Sequence, residues 1–160
     1  MDRYLYENYL HILKEELIPA LGCTEPIAIA FTAAYARSVL GKMPEQVRVT
    51  CSGNIVKNVK GVTVPGSGGM KGIEAAAAMG LIAKDYTKKL EFLDAITKED
   101  LRSVKRLLQR KIIRCELARQ VDNLYISVLA KSGDESGEVI VSGKHTQVVR
   151  IMKDNRLLLE

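Results

Sequence analysis

The hydrophobic period of this chain changes once, near Ile112, and that change limits its fold more than any other feature. Upstream of it, apolar residues recur at three- and four-residue steps or fill every side of a segment; downstream they alternate. Leu5, Tyr9, Ile12, Leu13 and Leu17 form one stripe of an amphipathic helix over residues 3–18, with His11 at its solvent edge. Residues 25–40 are apolar on nearly all sides and rich in alanine, which predicts a mostly buried helix closed by Gly41. Residues 73–83, with four consecutive alanines, predict a second tightly packed helix. Thr97 and Asp100 stand at capping-box spacing before a helix over 98–110, whose Leu101, Val104, Leu107 and Leu108 point inward.

Residues 47–51 alternate as a strand, and 62–64 read as a short second one. After Ile112 the segments 112–117, 124–130, 138–141, 147–152 and 156–159 alternate, separated by turn signals such as Asp122-Asn123 and Asp154-Asn155. Short successive turns imply an antiparallel meander. The fold class is therefore α+β: N-terminal helices and a Gly-rich loop packed on a largely antiparallel sheet of C-terminal strands. Residues 1–160 make a single domain, large enough to own a core.

Composition narrows the function classes. Hydrophobic residues make up 47% and mean hydropathy is −0.01, as in soluble globular proteins. Aromatics are only 5%, so the core is aliphatic. The net charge of +5 comes from 24 basic and 19 acidic residues, mixed in sign and without basic–aromatic interleaving. That pattern speaks against nucleic acid as a partner. The cluster Lys105, Arg106, Arg110, Lys111 and Arg114 reads as a solvated helix face. No apolar run is long enough to cross a membrane, and charges interrupt any signal-like core at the N-terminus. Three irregularly spaced cysteines do not make a disulfide framework, so a reduced, cytoplasmic setting is expected.

Chemistry concentrates in three places. Gly22-Cys23-Thr24-Glu25-Pro26 puts a thiol at a helix start, after a turn made by Pro19 and Gly22. The positive end of a helix dipole lowers a cysteine pKa, favouring a thiolate that binds metal or attacks an electrophile; a buried cysteine can equally be a small hydrophobe. Cys23 or Thr24 can cap that helix. Glu25 either complements its dipole or orients a ligand. Ser52, Asn54, Lys57 and Asn58 offer hydroxyl, amide and ammonium groups suited to an amino acid's carboxylate. The loop Gly66-Ser67-Gly68-Gly69, running into a helix near Lys71 or Gly72, can form an anion-binding nest or simply a turn that uses positive φ angles. It fits neither the Walker nor the dinucleotide pattern. His145, beside Thr146 in a turn between strands, is a candidate proton carrier.

Taken together, the GCTEP run, the stretch from Ser52 to Asn58, the VPGSGG run from Val64 to Gly69 and the later GKHTQVV stretch resemble the iron–sulfur L-serine dehydratase alpha-chain-like family, nearest its L-cysteine desulfidase branch. The resemblance implies a lyase that eliminates ammonia and water or sulfide from L-serine or L-cysteine to give pyruvate. It implies a 4Fe–4S cluster with one open iron and no pyridoxal phosphate. Cys23 would be one cluster ligand, and the other two would lie in a later half that this chain lacks. Ser52, Asn54, Asn58, Ser67, Gly68 and Thr146 would bind substrate. His145 and Lys57 would be catalytic, Lys57 either pairing with the substrate carboxylate or acting as a base. Read this way, the chain is an N-terminal portion, inactive by itself, whose partners are a small amino acid, the missing half or a partner chain, and a second copy docked on small-residue helices. The alternative is a non-catalytic amino-acid- or anion-binding or assembly module.

Overall fold

Helix α2 has no polar face, and the architecture follows from the need to cover it on every side. In the computed structural model, which describes residues 3–17, 22–83 and 85–160, α2 spans Thr24–Leu40. Ile27, Ala28, Ile29, Ala30, Ala33, Ala36 and Leu40 are all nearly inaccessible. Burying each large aliphatic side chain contributes about 1.5–3 kcal/mol. α2 lies against one face of a six-stranded sheet, over β3 (Tyr125–Ser132) and β4 (Glu135–Ser142). Its flank packs along α4 (Gly72–Ile82).

Two glycines let α2 approach this closely. A Cβ on Gly80 of α4 would sit 1.9 Å from the Ala30 carbonyl oxygen. A Cβ on Gly137 of β4 would sit 2.6 Å from both the Ala36 carbonyl oxygen and the Leu40 amide nitrogen. Backbone therefore meets backbone on two sides of the same helix. The Arg37 guanidinium adds a polar tie by donating to the carbonyl of Leu81. Phe31, Tyr35 and Tyr86 close one end of this layer, with the two tyrosine rings stacked at 4.6 Å.

The strand order is β2-β1-β3-β4-β5-β6. β3 to β6 form the expected antiparallel meander, with β5 at Val148–Lys153 and β6 at Arg156–Leu159. One connection departs from the simple meander. β1 (Gln46–Ser52) inserts between β2 (Ile113–Ala118) and β3, pairing parallel with the former and antiparallel with the latter. Alternation predicted both strands but carries no information about neighbours; a long crossover through the helices makes the parallel pair possible. Val47, Val49 and Cys51 of β1 and Ile126, Val128 and Ala130 of β3 point toward the helices and are buried.

Between β1 and β2 run α3 (Gly53–Val59), α4, a 3₁₀ segment (Tyr86–Ala95) and α5 (Lys98–Gln109). The capping box at α5 is formed: the Thr97 hydroxyl accepts from the Asp100 amide at 3.1 Å, and the Thr97 amide donates to the Asp100 carboxylate at 2.9 Å. The expected strand at 62–64 is only a single bridge, Thr63 to Lys71, at the base of the Gly-rich loop. The stretch from Ser52 to Asn58, which carries the candidate carboxylate-binding groups, leaves β1 directly into α3.

α1 spans Arg3–Glu16 and keeps its apolar stripe exposed, with Leu5, Tyr9, Ile12 and Leu13 each about half accessible. Among the described residues, the large exposed apolar side chains lie on and just after α1, at Leu117 and Val121, and at Leu157, Leu158 and Leu159 of β6. The small-residue helices expected to lie open are covered: Ala75 to Ala78 of α4 are 0–4% accessible. Pro19, expected to help make the turn into α2, lies outside the described residues. No helix among those described is long and apolar enough to cross a membrane.

A Gly80→Ala substitution drives a methyl group into helix backbone that has no flexible side chain to move aside. Unfolding in urea is expected to show a loss of about 3 kcal/mol. A loss below about 1 kcal/mol would show that α2 and α4 do not meet backbone to backbone.

Candidate functional site

The head of α2 gathers side chains that are far apart in sequence. Cys23 occupies the N-cap position with extended backbone, but its side chain makes no capping hydrogen bond to the helix. Its thiol instead donates to Glu25 Oε2 at 3.1 Å. The Thr24 hydroxyl lies 3.5 Å from the same oxygen and 3.1 Å from His145 Nε2. His145 Nε2 in turn lies 3.8 Å from Glu25 Oε1. The result is a half-buried chain of groups, His145–Thr24–Glu25–Cys23, with its carboxylate in the middle.

The fold determines this meeting. β4 ends at Ser142, and the turn through His145 begins β5; the Gln147 carbonyl accepts from the Ser142 amide to close it. Because α2 lies along β4, its first turn comes level with that turn. The histidine of one motif therefore reaches the threonine of another across 121 positions.

The electrostatics of the thiol differ from the expectation. Partial burial, and then the adjacent Glu25 carboxylate, push the Cys23 thiol above its ordinary pKa, outweighing the Glu25 backbone N–H that favours the thiolate. The helix dipole was expected to lower it. Burial, and then an acidic residue two positions away whose carboxylate accepts the thiol's hydrogen bond, outweigh that effect. Burial alone would raise Glu25. Hydrogen bonds from Cys23 and its own backbone amide, the nearby His145 and the Thr24 hydroxyl together hold it below the usual carboxylate value. Glu25 is thus an anion, and Cys23 a neutral thiol bonded to it.

The Gly-rich loop abuts this cluster. The position a Cβ would take on Gly22 is 3.3 Å from Pro65 Cγ. Gly22, at φ +97°, accepts that approach without strain. The loop is closed internally: the Val64 amide donates to the Met70 carbonyl at 2.8 Å, and the buried Ser67 hydroxyl donates to the same carbonyl at 3.1 Å. The Ser67 hydroxyl therefore holds the loop together, whereas Gly68 is exposed. Thr146 is half-buried beside His145.

The Ser52 to Asn58 stretch is placed differently. Ser52 is the N-cap of α3, accepting from the Ile55 amide at 3.4 Å and donating to the Asn123 carbonyl at 2.5 Å. Asn54, Lys57 and Asn58 fall at helical spacing on one side of α3, with Asn54 and Lys57 exposed. Among the described residues, no hydrogen bond or ion pair joins them to the α2 cluster. Of the sequence candidates, the fold brings His145 to the Cys23 turn, with Thr146 next to it in the chain, and sets Pro65 at the start of the Gly-rich loop against Gly22. It adds Thr24 and Glu25 as the linking groups. The sequence marked Thr24 as a candidate cap and Glu25 as a dipole partner or ligand-orienting residue, without showing their link to His145.

Cys51 and Cys115 stand apart on the sheet, Cys51 buried and Cys115 exposed on an edge strand. Burial pushes the Cys51 thiol up to about 12. At Cys115, exposed as a residue, desolvation of the thiol itself, and then the Glu74 carboxylate beside it, do the same. Among the described residues no three His, Cys, Asp or Glu side chains are grouped so as to hold a metal ion. On this chain the donor set at the expected cluster position is one protonated thiol hydrogen-bonded to a carboxylate.

Comparison with known proteins places the chain beside proteins named UPF0597. It is 48% identical to one from Finegoldia magna over 153 residues, 95% of this chain and 37% of the relative. It is 48% identical to one from Lachnoclostridium phytofermentans over 98% of this chain, and 40% identical to one from Treponema denticola over its full length; each match again covers 37% of the relative. The chain thus spans a little over a third of the curated relatives it matches. No family model matches it, and no solved structure matches it. These findings correct the expected family. The similarity runs to UPF0597 proteins, whose names indicate neither an iron–sulfur serine dehydratase nor a cysteine desulfidase, and the lyase function drawn from that resemblance is withdrawn with it. Short glycine- and proline-rich motifs specify turn geometry, which different chemistries share.

A Glu25→Gln variant tests the electrostatics. Removing the anion should lower the pH midpoint for iodoacetamide modification of Cys23, followed by peptide mass spectrometry. An unchanged or higher midpoint would show that Glu25 does not hold the thiol protonated.

Proposed function

We propose that the head of α2, the His145 turn and the Gly-rich loop form a binding and proton-transfer site for a small zwitterionic molecule of the amino-acid type. The approach of His145 to Thr24 and Glu25 carries this reading, because it couples a titratable imidazole to an ionised carboxylate through a hydroxyl. The Glu25 carboxylate suits an ammonium group, and the Thr24 amide at the start of α2, where the N-cap side chain makes no capping bond, suits a carboxylate. His145 can then exchange a proton with the bound molecule. With Nε2 unprotonated it accepts from the Thr24 hydroxyl; with Nε2 protonated it donates to Thr24, whose own proton turns toward Glu25. Thr24 thereby follows the protonation of His145 without leaving either partner.

The rest of the site would come from the additional length found in the relatives or from a partner chain, and whatever the whole protein does depends on that part as well. The three unpaired cysteines suit a reducing cytoplasmic compartment.

Titration of the isotope-labelled chain with L-alanine and L-serine, followed by NMR, tests the proposal. Amide shifts should concentrate at Thr24, Glu25, Gly66 to Gly69 and His145, and Glu25→Gln should weaken binding about tenfold through loss of one charge-assisted contact. Shifts elsewhere, no shifts, or an unaffected Glu25→Gln variant would overturn it.

A further inference from the structure

The opposite end of the sheet carries a second feature, independent of the site at α2. β3 begins beside Ser142 and the His145 turn and ends at Leu129 to Lys131, where it pairs with the first residues of β1. There, on the sheet face turned away from the helices, Arg48 of β1 and Arg114 of β2 stand directly opposite each other in the parallel register. Like charges in that relation repel. Lys131 at the end of β3 and Lys111 after α5 complete the wall of a hollow of about 470 Å³. Its remaining lining includes Ile112 and Leu129, which give it a small apolar floor.

The charge in this hollow is poorly balanced. Four cations face two carboxylates, Glu45 and Glu116. Glu116 reaches Arg48 only at 3.9 Å, and Glu45 accepts from the Gly133 amide at 3.3 Å. Among the described residues, Arg114, Lys111 and Lys131 form no ion pair within 4 Å. Lys111 also adopts φ +53° just past the end of α5, a conformation that glycine or asparagine takes more easily. A chain selected only for stability would not need two arginines in register and a lysine at that turn. Paired guanidinium forks set side by side on rigid strands match the spread oxygens of a phosphate or diphosphate group.

We propose that this hollow is a binding site for a polyvalent oxyanion of the pyrophosphate type, held by Arg48 and Arg114 with Lys111 and Lys131 at its rim. The anion would relieve the cross-strand repulsion, and the apolar floor would accept the organic part of a larger molecule that carries the group. Calorimetric titration with inorganic pyrophosphate, and separately with ADP, tests this. Pyrophosphate should bind with one-to-one stoichiometry and weaken as salt is raised. ADP binding more tightly would identify the group as part of a nucleotide-like ligand, whereas equal or weaker binding would identify the free anion.

Arg114→Ser and Arg48→Ser should each weaken pyrophosphate binding about tenfold. Both side chains are exposed, so thermal unfolding should remain close to that of the parent. Arg106→Ser, on the exposed side of α5, removes the same charge outside the hollow and should change affinity less than about twofold. The proposal is overturned if pyrophosphate does not bind, if the two strand variants bind it as the parent does, or if Arg106→Ser weakens it equally, since binding would then follow net charge alone.

Discussion

Helix α2 is held between two glycines, and the rest of the structure depends on that fit. Gly80 admits the Ala30 backbone on one side, and Gly137 admits Ala36 and Leu40 on the other. Without a Cβ at either place, a helix of alanines and aliphatics can lie against both the sheet and α4. Since protein interiors are packed at near-crystalline density, neither contact could relax by more than a fraction of an ångström without opening the core. The fit also sets how far α2 runs along β4. That length decides whether Thr24 comes level with His145.

The site is therefore a product of the core. Cys23, Thr24 and Glu25 meet within one turn, whereas His145 reaches them only through the fold. The imidazole is delivered by a β-turn whose position follows from the β3–β4–β5 meander, and the hydroxyl by a helix whose position follows from Gly80 and Gly137. Glu25 sits between them as an anion stabilised by hydrogen bonds from a thiol, a hydroxyl and its own amide. The cysteine that draws attention in the sequence is electrostatically subordinate to the glutamate beside it.

Much of the fold was legible because it rests on local periodicity and turn chemistry. The all-apolar α2, the alanine-rich α4, the Thr97–Asp100 capping box and the alternating strands after Ile112 all occur close to their expected places. What periodicity could not convey was adjacency: β1 enters the sheet between β2 and β3 and pairs parallel with β2, more than sixty residues away in the chain. The same limit applied to the site. Cys23, His145 and the Gly-rich loop carried visible signals, but Thr24 became linked to His145 only through the fold. Ser52 and Ser67, candidates for ligand binding in the sequence, serve in the fold as a helix cap and a loop clasp. The family expectation failed for a related reason. Its motifs describe turns that hold a backbone in shape, and the relatives that match along the whole chain carry a different name.

The measurement that bears most directly on this account is a double-mutant cycle between Thr24 and His145, using Thr24→Ala, His145→Ala and the pair, each followed by urea unfolding. A half-buried hydrogen bond created by the seating of α2 should give a coupling energy of about 1 kcal/mol. A coupling indistinguishable from zero would mean that the two side chains do not meet, and that the head of α2 and the β4–β5 turn are neighbours without being a site.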